Sequence, residues 1–350
     1  MKTSSKIGFA VVGLGNIAQT AVLPAFHRSR RARLVAVVSG DKKKAVRLAR
    51  QFGADSAYGY KEYPTCLANP SVNAVYLATP QGEHEPFAVQ AAAAGRHVLC
   101  EKPLAATVEQ ASRMIAACRA QGVLLMTAYR KFFEPSTVYL KKLIRDQSLG
   151  RIDVIHAAFS EMNGTPTSPA WLRNARLAGG GPLMDLGVYC VNTSRWLVDE
   201  DPLEVSAQAW KHDASRFREV EEGVAFRLNF ASGLVVQGSS TYSSVISSFL
   251  SVQGSKGWAL LAPAFSFEHP RHLIGNSRGR SIRRNFKVVD EFAPQLDAFA
   301  AAIQTGSAVE ADGIQGLRDL SIIAAIYEAA RTHTTVRVKY DHSETSAAVR

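Results

Sequence analysis

No stretch of this 350-residue chain is apolar for long enough to cross a bilayer, which excludes a helical membrane span. Cysteine is scarce: Cys66, Cys100, Cys118 and Cys190 lie far apart without a CxxC pair. That spacing supports neither a zinc site nor a disulfide framework, and it points to the cytoplasm. Acids are outnumbered, 30 Asp and Glu against 41 Lys and Arg, for a formal net charge of +11. Such a balance permits anionic ligands or a nucleic-acid surface. The basic residues are scattered, however, apart from Arg28 to Arg33 and Arg278 to Lys287. Neither cluster carries aromatic platforms or a nucleic-acid motif, so both are expected to be solvated loops and no nucleic-acid partner is expected. Internal repeats and low-complexity tracts are missing too. With 47% hydrophobic and 20% charged residues the composition is ordinary for a globular protein, and the length favours two domains.

The opening residues MKTSSKIGFAVVGLGNIA run basic then apolar, but Gly13, Gly15 and Asn16 interrupt them. They read as a first strand rather than a signal peptide. From there to residue 128, short apolar runs (KIGFAVVG, RLVAVVSG, NAVYLATP, HVLCEKP, VLLMTAY) alternate with helical patterns, with a loop after Gly53. Strands apolar on both faces and separated by helices predict a doubly wound parallel sheet. After about Arg151 the texture changes to strands joined by Gly- and Ser-bearing turns, which predicts a large, mostly antiparallel sheet. The division expected is a dinucleotide-binding domain over 1–128, a substrate-binding and oligomerisation α+β domain over 129–340, and a loose polar tail over 341–350.

Gly13-Leu14-Gly15-Asn16-Ile17-Ala18 is the GxGxxA form of the dinucleotide fingerprint, placed after the first strand and at the start of a helix. The first glycine permits the tight turn, the second lets backbone approach a pyrophosphate, and Ala18 lets the helix sit close. At the end of the second strand, where an acid would bind the ribose of NAD, stands Ser39, followed by Gly40, Asp41 and Lys42 to Lys44. A hydroxyl and ammonium groups suit a 2′-phosphate, favouring NADP with NAD as the alternative. The competing reading is that the lysines decorate an exposed helix start, where they oppose its dipole.

Unusual residues recur where strands end: Thr79-Pro80-Gln81, Glu101-Lys102-Pro103 and Tyr129-Arg130 join the glycines and Ser39. Ligands of open α/β sheets sit at that edge. A second cluster is RLAGGGPLMDLGVYCVNTSRW, in which Gly179 to Gly181 let backbone crowd a neighbour and Asp185, Tyr189, Asn192 and Trp196 share a helix face. That polar stripe fits a lined cavity or a solvated face equally.

These segments, together with ATPQGEHEPFAVQAAAAGRHVLCEKPLA, TAYRKFFEPS and VQGSKGW, carry a resemblance. The chain resembles the Gfo/Idh/MocA oxidoreductase family over about Lys6 to Tyr340, within it the glucose–fructose oxidoreductase-like branch. The resemblance implies catalytic roles for Lys102, Tyr189 and Asp185: Lys102 polarising the reacting oxygen, Tyr189 carrying the proton, and Asp185 orienting sugar hydroxyls. Many relatives have histidine where this chain has Tyr189. It further implies cofactor contacts from Gly13, Gly15, Asn16, Ile17, Ser39, Gly40, Lys44, Thr79, Pro80, His84 and Glu101, and substrate contacts from Tyr129, Arg130 and Arg173. His84 has packing as its competing role, while His156, His212 and Trp258 are expected to be structural. No metal is expected. Periplasmic relatives hold NADP with an N-terminal arm, whereas this chain starts just before its first strand, so an exchangeable cofactor is expected. A homodimer or homotetramer built on the open sheet is also implied. The function expected is NADP-dependent hydride transfer to or from a carbinol of a sugar or polyol. The alternatives are a sugar dismutation with retained NADP and a non-catalytic ligand-sensing protein.

Overall fold

The computed structural model describes residues 6–163, 165 and 167–340, so the tail expected over 341–350 lies outside the described residues. The chain forms two units, one of residues up to Arg130 with Asp290–Leu317, the other of Lys131–Val289 with residues from Arg318 onward.

In the first unit β1 (Ile7–Val12), β2 (Ala32–Ser39), β3 (Ser56–Gly59), β4 (Ala74–Leu77), β5 (His97–Cys100) and β6 (Leu125–Thr127) make one sheet in the order β3-β2-β1-β4-β5-β6. Every pairing is parallel. Val11, Val12, Val37, Val38, Val75 and Leu99 all have 0% exposure, as strands covered on both faces require. Strand order reverses at β1, which sets a crevice beyond the carboxyl ends of β1 and β4. The helix after β1 opens with a wide π-type turn, Ala18–Val22, before α1 (Leu23–Arg28). Pro24 explains the widening: it has no N–H to donate and would clash with the carbonyl four residues back. α2 (Lys42–Phe52) begins at Asp41, whose carboxylate accepts the Lys44 N–H at 3.0 Å. α3 (Tyr63–Ala68) and β3 occupy the stretch expected to be loop; SAYG is a short, half-buried edge strand with no apolar run to announce it. α4 (His84–Ala93) and α5 (Val108–Ala120) follow, the latter capped by Thr107, which accepts the Gln110 N–H at 3.2 Å.

The second unit contains α6 (Pro135–Arg145), α7 (Ala175–Ala178) and α8 (Val188–Val198) with β7 (Ile152–Ser160), β8 (Pro202–Trp210), β9 (Gly223–Phe230), β10 (Val235–Thr241), β11 (Ser247–Gly254), β12 (Gly257–Ala262), β13 (Arg271–Ser277) and β14 (Arg280–Phe286). With β15 (Val336–Arg337) they form a nine-stranded sheet, β14-β13-β12-β11-β7-β10-β9-β8-β15, in which only β7 and β10 run parallel. One face packs against α8 and is buried at Ile155, Val224, Leu228, Val236, Val252 and Leu261. The opposite face leaves Phe249, Trp258 and Ile274 exposed at 39%, 42% and 38%, so Trp258 is a surface residue rather than a core one.

The cluster Arg278 to Lys287 differs from the loop expected, whereas Arg28 to Arg33 spans an exposed turn between α1 and β2. Arg280 to Phe286 is β14, paired along its length with β13. As the edge strand it projects Arg280, Arg283 and Arg284 outward, charges that discourage further strand pairing. Arg28 to Arg33 is held by α9 (Phe292–Thr305): Asp297 accepts from the Ser29 hydroxyl at 2.6 Å and the Arg30 and Arg31 N–H groups at 2.9 and 2.8 Å. The helix α9 packs on α1, β1 and β2, with Phe299 against Phe9 at 6.2 Å between ring centroids. Residues 290–317 therefore belong with the first unit, although they follow the second sheet in sequence and were read as part of 129–340. The division between the units falls inside α10 (Gly313–Thr332).

Candidate active site

At the carboxyl edge of the first sheet the two fingerprint glycines behave differently. Gly13 has φ +90°, and a Cβ there would lie 2.5 Å from the Ala78 carbonyl oxygen, so close packing of β1 on β4 demands glycine. Gly15 is exposed, and a Cβ there would meet nothing within 4 Å. Its bareness serves no protein contact. Nearby, Thr79 Oγ1 and Gln81 Oε1 are buried without a hydrogen-bond partner. Buried polar atoms are nearly always satisfied, so these two fit a ligand supplied from outside the chain. Ser39 Oγ accepts the Asp41 N–H at 3.2 Å. Of the three lysines, Lys42 is engaged by Glu62 at 2.5 Å and the Ala57 carbonyl at 2.8 Å.

Lys102 is partly exposed just past β5, and the Lys102–Pro103 peptide is cis. Glu101 beside it accepts the Tyr76 hydroxyl at 2.7 Å through Oε1 and the Lys102 N–H at 3.2 Å through Oε2. Burial pushes the Glu101 carboxyl above its ordinary range, opposed by the Tyr76 hydrogen bond and the charges of Lys102 and Arg130. His84 corrects an expectation. It has 0% exposure, and its ring nitrogens lie 3.1 Å from the Leu104 carbonyl and 2.9 Å from the Thr79 carbonyl. Burial draws its pKa down. A ring so enclosed joins two loops of the sheet edge and has no nitrogen left for a cofactor.

In the second unit the glycine run meets a buried carboxylate. Glu221 accepts the Gly181 and Leu183 N–H groups at 2.9 and 3.0 Å and the Tyr327 hydroxyl at 3.0 Å. A Cβ on Gly181 would lie 2.3 Å from the Glu221 carbonyl oxygen, which explains glycine there. Glu221 thereby caps a π-type turn, Leu183–Gly187, that leads into α8. Asp185 sits in that turn, partly exposed, and accepts the Tyr242 hydroxyl at 3.0 Å. Tyr189 is 9% exposed, its ring 5.7 Å from Phe159 and 5.8 Å from Phe265. The expected polar stripe breaks up beyond this point. Asn192 is buried and donates to Asp319 at 2.8 Å, while Trp196 stacks on Phe132 at 4.6 Å with the Lys141 ammonium 4.3 Å from its ring. The wide turn alters the register between Asp185 and the helix that follows, so a uniform 3.6-residue spacing misplaces the stripe.

The family profile described as "Oxidoreductase family, NAD-binding Rossmann fold" matches residues 7–129, and the "GFO/IDH/MocA C-terminal domain" matches residues 137–260. The chain belongs to the Gfo/Idh/MocA oxidoreductase family. It is 31% identical to a D-xylose 1-dehydrogenase [NADP(+)] from Haloarcula marismortui over 96% of this chain and 94% of that one. Among solved structures it is similar to an aldose-aldose oxidoreductase from Caulobacter crescentus complexed with glycerol, at 38% identity and TM-score 0.90 over 95% of this chain and 99% of that one. A 3-ketoreductase from Actinomadura kijaniata, in complex with NADP and TDP-benzene, matches at 25% identity and TM-score 0.83 over 93% of this chain and 98% of that one. The parallel sheet followed by a mostly antiparallel one is the architecture of this family.

Other residues of the Gfo/Idh/MocA resemblance fall in varied settings. Tyr129 and Arg130 are buried at 2% and 4% exposure, and Arg130 is ion-paired with Glu291. Its charge is met within the first unit, which favours a supporting role over substrate contact. Arg173 is half-buried and reaches the Asn163 carbonyl at 3.4 Å. Sequence reading missed Tyr242, Glu221, Tyr76 and Gln295, whose relevance depends entirely on partners distant in the chain. Only the acidic pair Glu221-Glu222, set against a strand start, was there to notice. Among the described residues no group of three His, Cys, Asp or Glu could hold a metal ion. The thiols of Cys66 and Cys118 are pushed up to about 12 by burial, which makes them poor nucleophiles.

Proposed function

We propose that this protein transfers hydride between NADP and a carbinol carbon of a sugar or sugar-like polyol. The observation that carries the reading is the grouping at one sheet edge of open Gly15, the unpartnered buried Thr79 Oγ1 and Gln81 Oε1, and Lys102. When bound, NADP supplies the hydride acceptor or donor at its nicotinamide. The chain's own tasks are to bind the pyrophosphate at Gly13 to Ile17, the 2′-phosphate at Ser39, Gly40 and Lys44, and the remainder at Thr79, Pro80 and Glu101. Lys102 polarises the reacting oxygen, Tyr189 takes or returns its proton, and Asp185, held by Tyr242, orients the neighbouring hydroxyls. Support for a sugar comes from the relatives, whose names specify D-xylose and aldoses. Support for NADP comes from Ser39 in place of an acid, and from the NADP named for two of those relatives.

The test is a panel of pentoses, hexoses, uronic acids and sugar phosphates, with NADP and NAD each monitored by reduced-nicotinamide absorbance. Turnover of at least one sugar with NADP preferred supports the reading. Dinucleotide binding without turnover on any sugar defeats it in favour of a sensing protein. In the same reading the protein acts in the cytoplasm as a homodimer or homotetramer through the open face of the nine-stranded sheet, where Phe249, Trp258 and Ile274 lie exposed. A monomer in sedimentation equilibrium at micromolar concentration would remove that part.

A further inference from the structure

Gln295 of α9 and Tyr76 of β4 both have 0% exposure at the carboxyl edge of the first sheet. Gln295 Nε2 donates to the Tyr76 hydroxyl oxygen at 3.4 Å, and that hydroxyl donates to Glu101 Oε1 at 2.7 Å. A hydroxyl that accepts one hydrogen bond donates a stronger one. The other Glu101 oxygen accepts the Lys102 N–H at 3.2 Å, so donors fix both ends of the carboxylate. The charged and titratable groups facing Glu101 are Lys102 beside it, Arg130 after β6, Tyr76 on β4 and the Cys100 thiol on β5. Arg130 is in turn held by Glu291 at the start of α9. Two side chains from the segment that returns to this unit thus bear on the residue next to Lys102.

We propose that Tyr76 and Gln295 are positioning residues, a relay from α9 that holds the Glu101 carboxylate where it acts on Lys102. This deepens the hydride-transfer reading and rests on it. Removing the Tyr76 hydroxyl withdraws a hydrogen bond that favours the charged carboxylate, so Glu101 should become harder to ionise.

The experiment follows Glu101 directly. The full chain is labelled with carboxyl-13C glutamate, the Glu101 resonance is assigned by its loss in Glu101→Gln, and the midpoint of its pH titration is measured. Tyr76→Phe is expected to raise that midpoint by about one pH unit, roughly tenfold in the acid constant. Gln295→Met is expected to raise it by about half a pH unit, roughly threefold in the acid constant, and the double variant no further than Tyr76→Phe alone, because Gln295 acts through Tyr76. A merely structural role would lower the melting temperature and leave the midpoint in place. Folded variants with unmoved midpoints overturn the relay. Should Tyr76→Phe not fold, Gln295→Met decides alone by the same criterion. The sugar panel separates the two levels: absence of turnover by the parent protein overturns the hydride-transfer reading, whereas turnover by the parent with unmoved Glu101 midpoints in the variants overturns only the relay.

Discussion

Gly13 and Gly15 stand two residues apart in one fingerprint, yet replacing each with alanine should injure different properties. At Gly13 the backbone lies at φ +90°, which costs a side-chain-bearing residue about 1–2 kcal/mol. The added methyl would also lie 2.5 Å from the Ala78 oxygen and 2.7 Å from the Thr79 nitrogen, both backbone atoms that cannot swing aside. Overpacking of that kind adds about 1–3 kcal/mol. Gly13→Ala should therefore destabilise the first unit by about 2–5 kcal/mol, on the order of 5–15 °C in melting temperature for a unit this size. Gly15→Ala meets no protein atom within 4 Å and has no positive φ, so its stability should match the parent within about 1 kcal/mol. What the methyl does obstruct is the approach of a pyrophosphate, and NADPH binding, read by nicotinamide fluorescence, should weaken by about tenfold or more. Calorimetric melting without ligand and a fluorescence titration on the same preparations separate the two effects. A Gly15→Ala protein that melts normally and binds NADPH normally would refute placement of the dinucleotide on this loop. A Gly13→Ala protein of unaltered melting temperature would refute the steric account.

Three further outcomes are expected. Tyr242→Phe removes the hydroxyl that donates to Asp185 and should lower kcat by about tenfold with little change in NADPH affinity, since a hydrogen bond to a charged group is worth about 1.5–3 kcal/mol; unchanged sugar kinetics would remove Tyr242 from the site. Glu221→Ala strands the Gly181 and Leu183 N–H groups and the Tyr327 hydroxyl, a loss of about 3 kcal/mol or more by chemical denaturation of the second unit. The pKa of His84 is lowered in the folded state, so below its unfolded value of about 6.5 the unfolded chain binds the extra proton and stability falls with acidity. Denaturant titrations at pH 7 and pH 5.5 should show that loss in the parent and find it missing in His84→Gln.

Much of the first unit was legible in the sequence because its signals are local. The apolar runs, the GxGxxA turn and the Thr107 cap each operate over a handful of residues, and strand-helix alternation leaves few topologies open. Lys102 stood out for a similarly local reason, as a charge where a buried strand meets proline. The edge strands were harder: SAYG has no apolar run, and SIRRNF is a strand only because β13 pairs with it. The polar stripe on α8 failed because one wide turn at Leu183–Gly187 alters the helical register.

By itself the sequence determined the parallel sheet, the change to antiparallel strands, the fingerprint loop and the residues that mark a Gfo/Idh/MocA protein. Only the tertiary structure decided that residues 290–317 return to the first unit, and that the basic loop Arg28 to Arg33 docks on Asp297. It alone set both ring nitrogens of His84 beside carbonyl oxygens and brought the Tyr76 hydroxyl and the Gln295 amide into line with Glu101. The physical reason is range. Helical period, turn chemistry and capping act between near neighbours, whereas Gln295 and Tyr76 are 219 positions apart and meet only because a buried amide and a buried hydroxyl each need a partner.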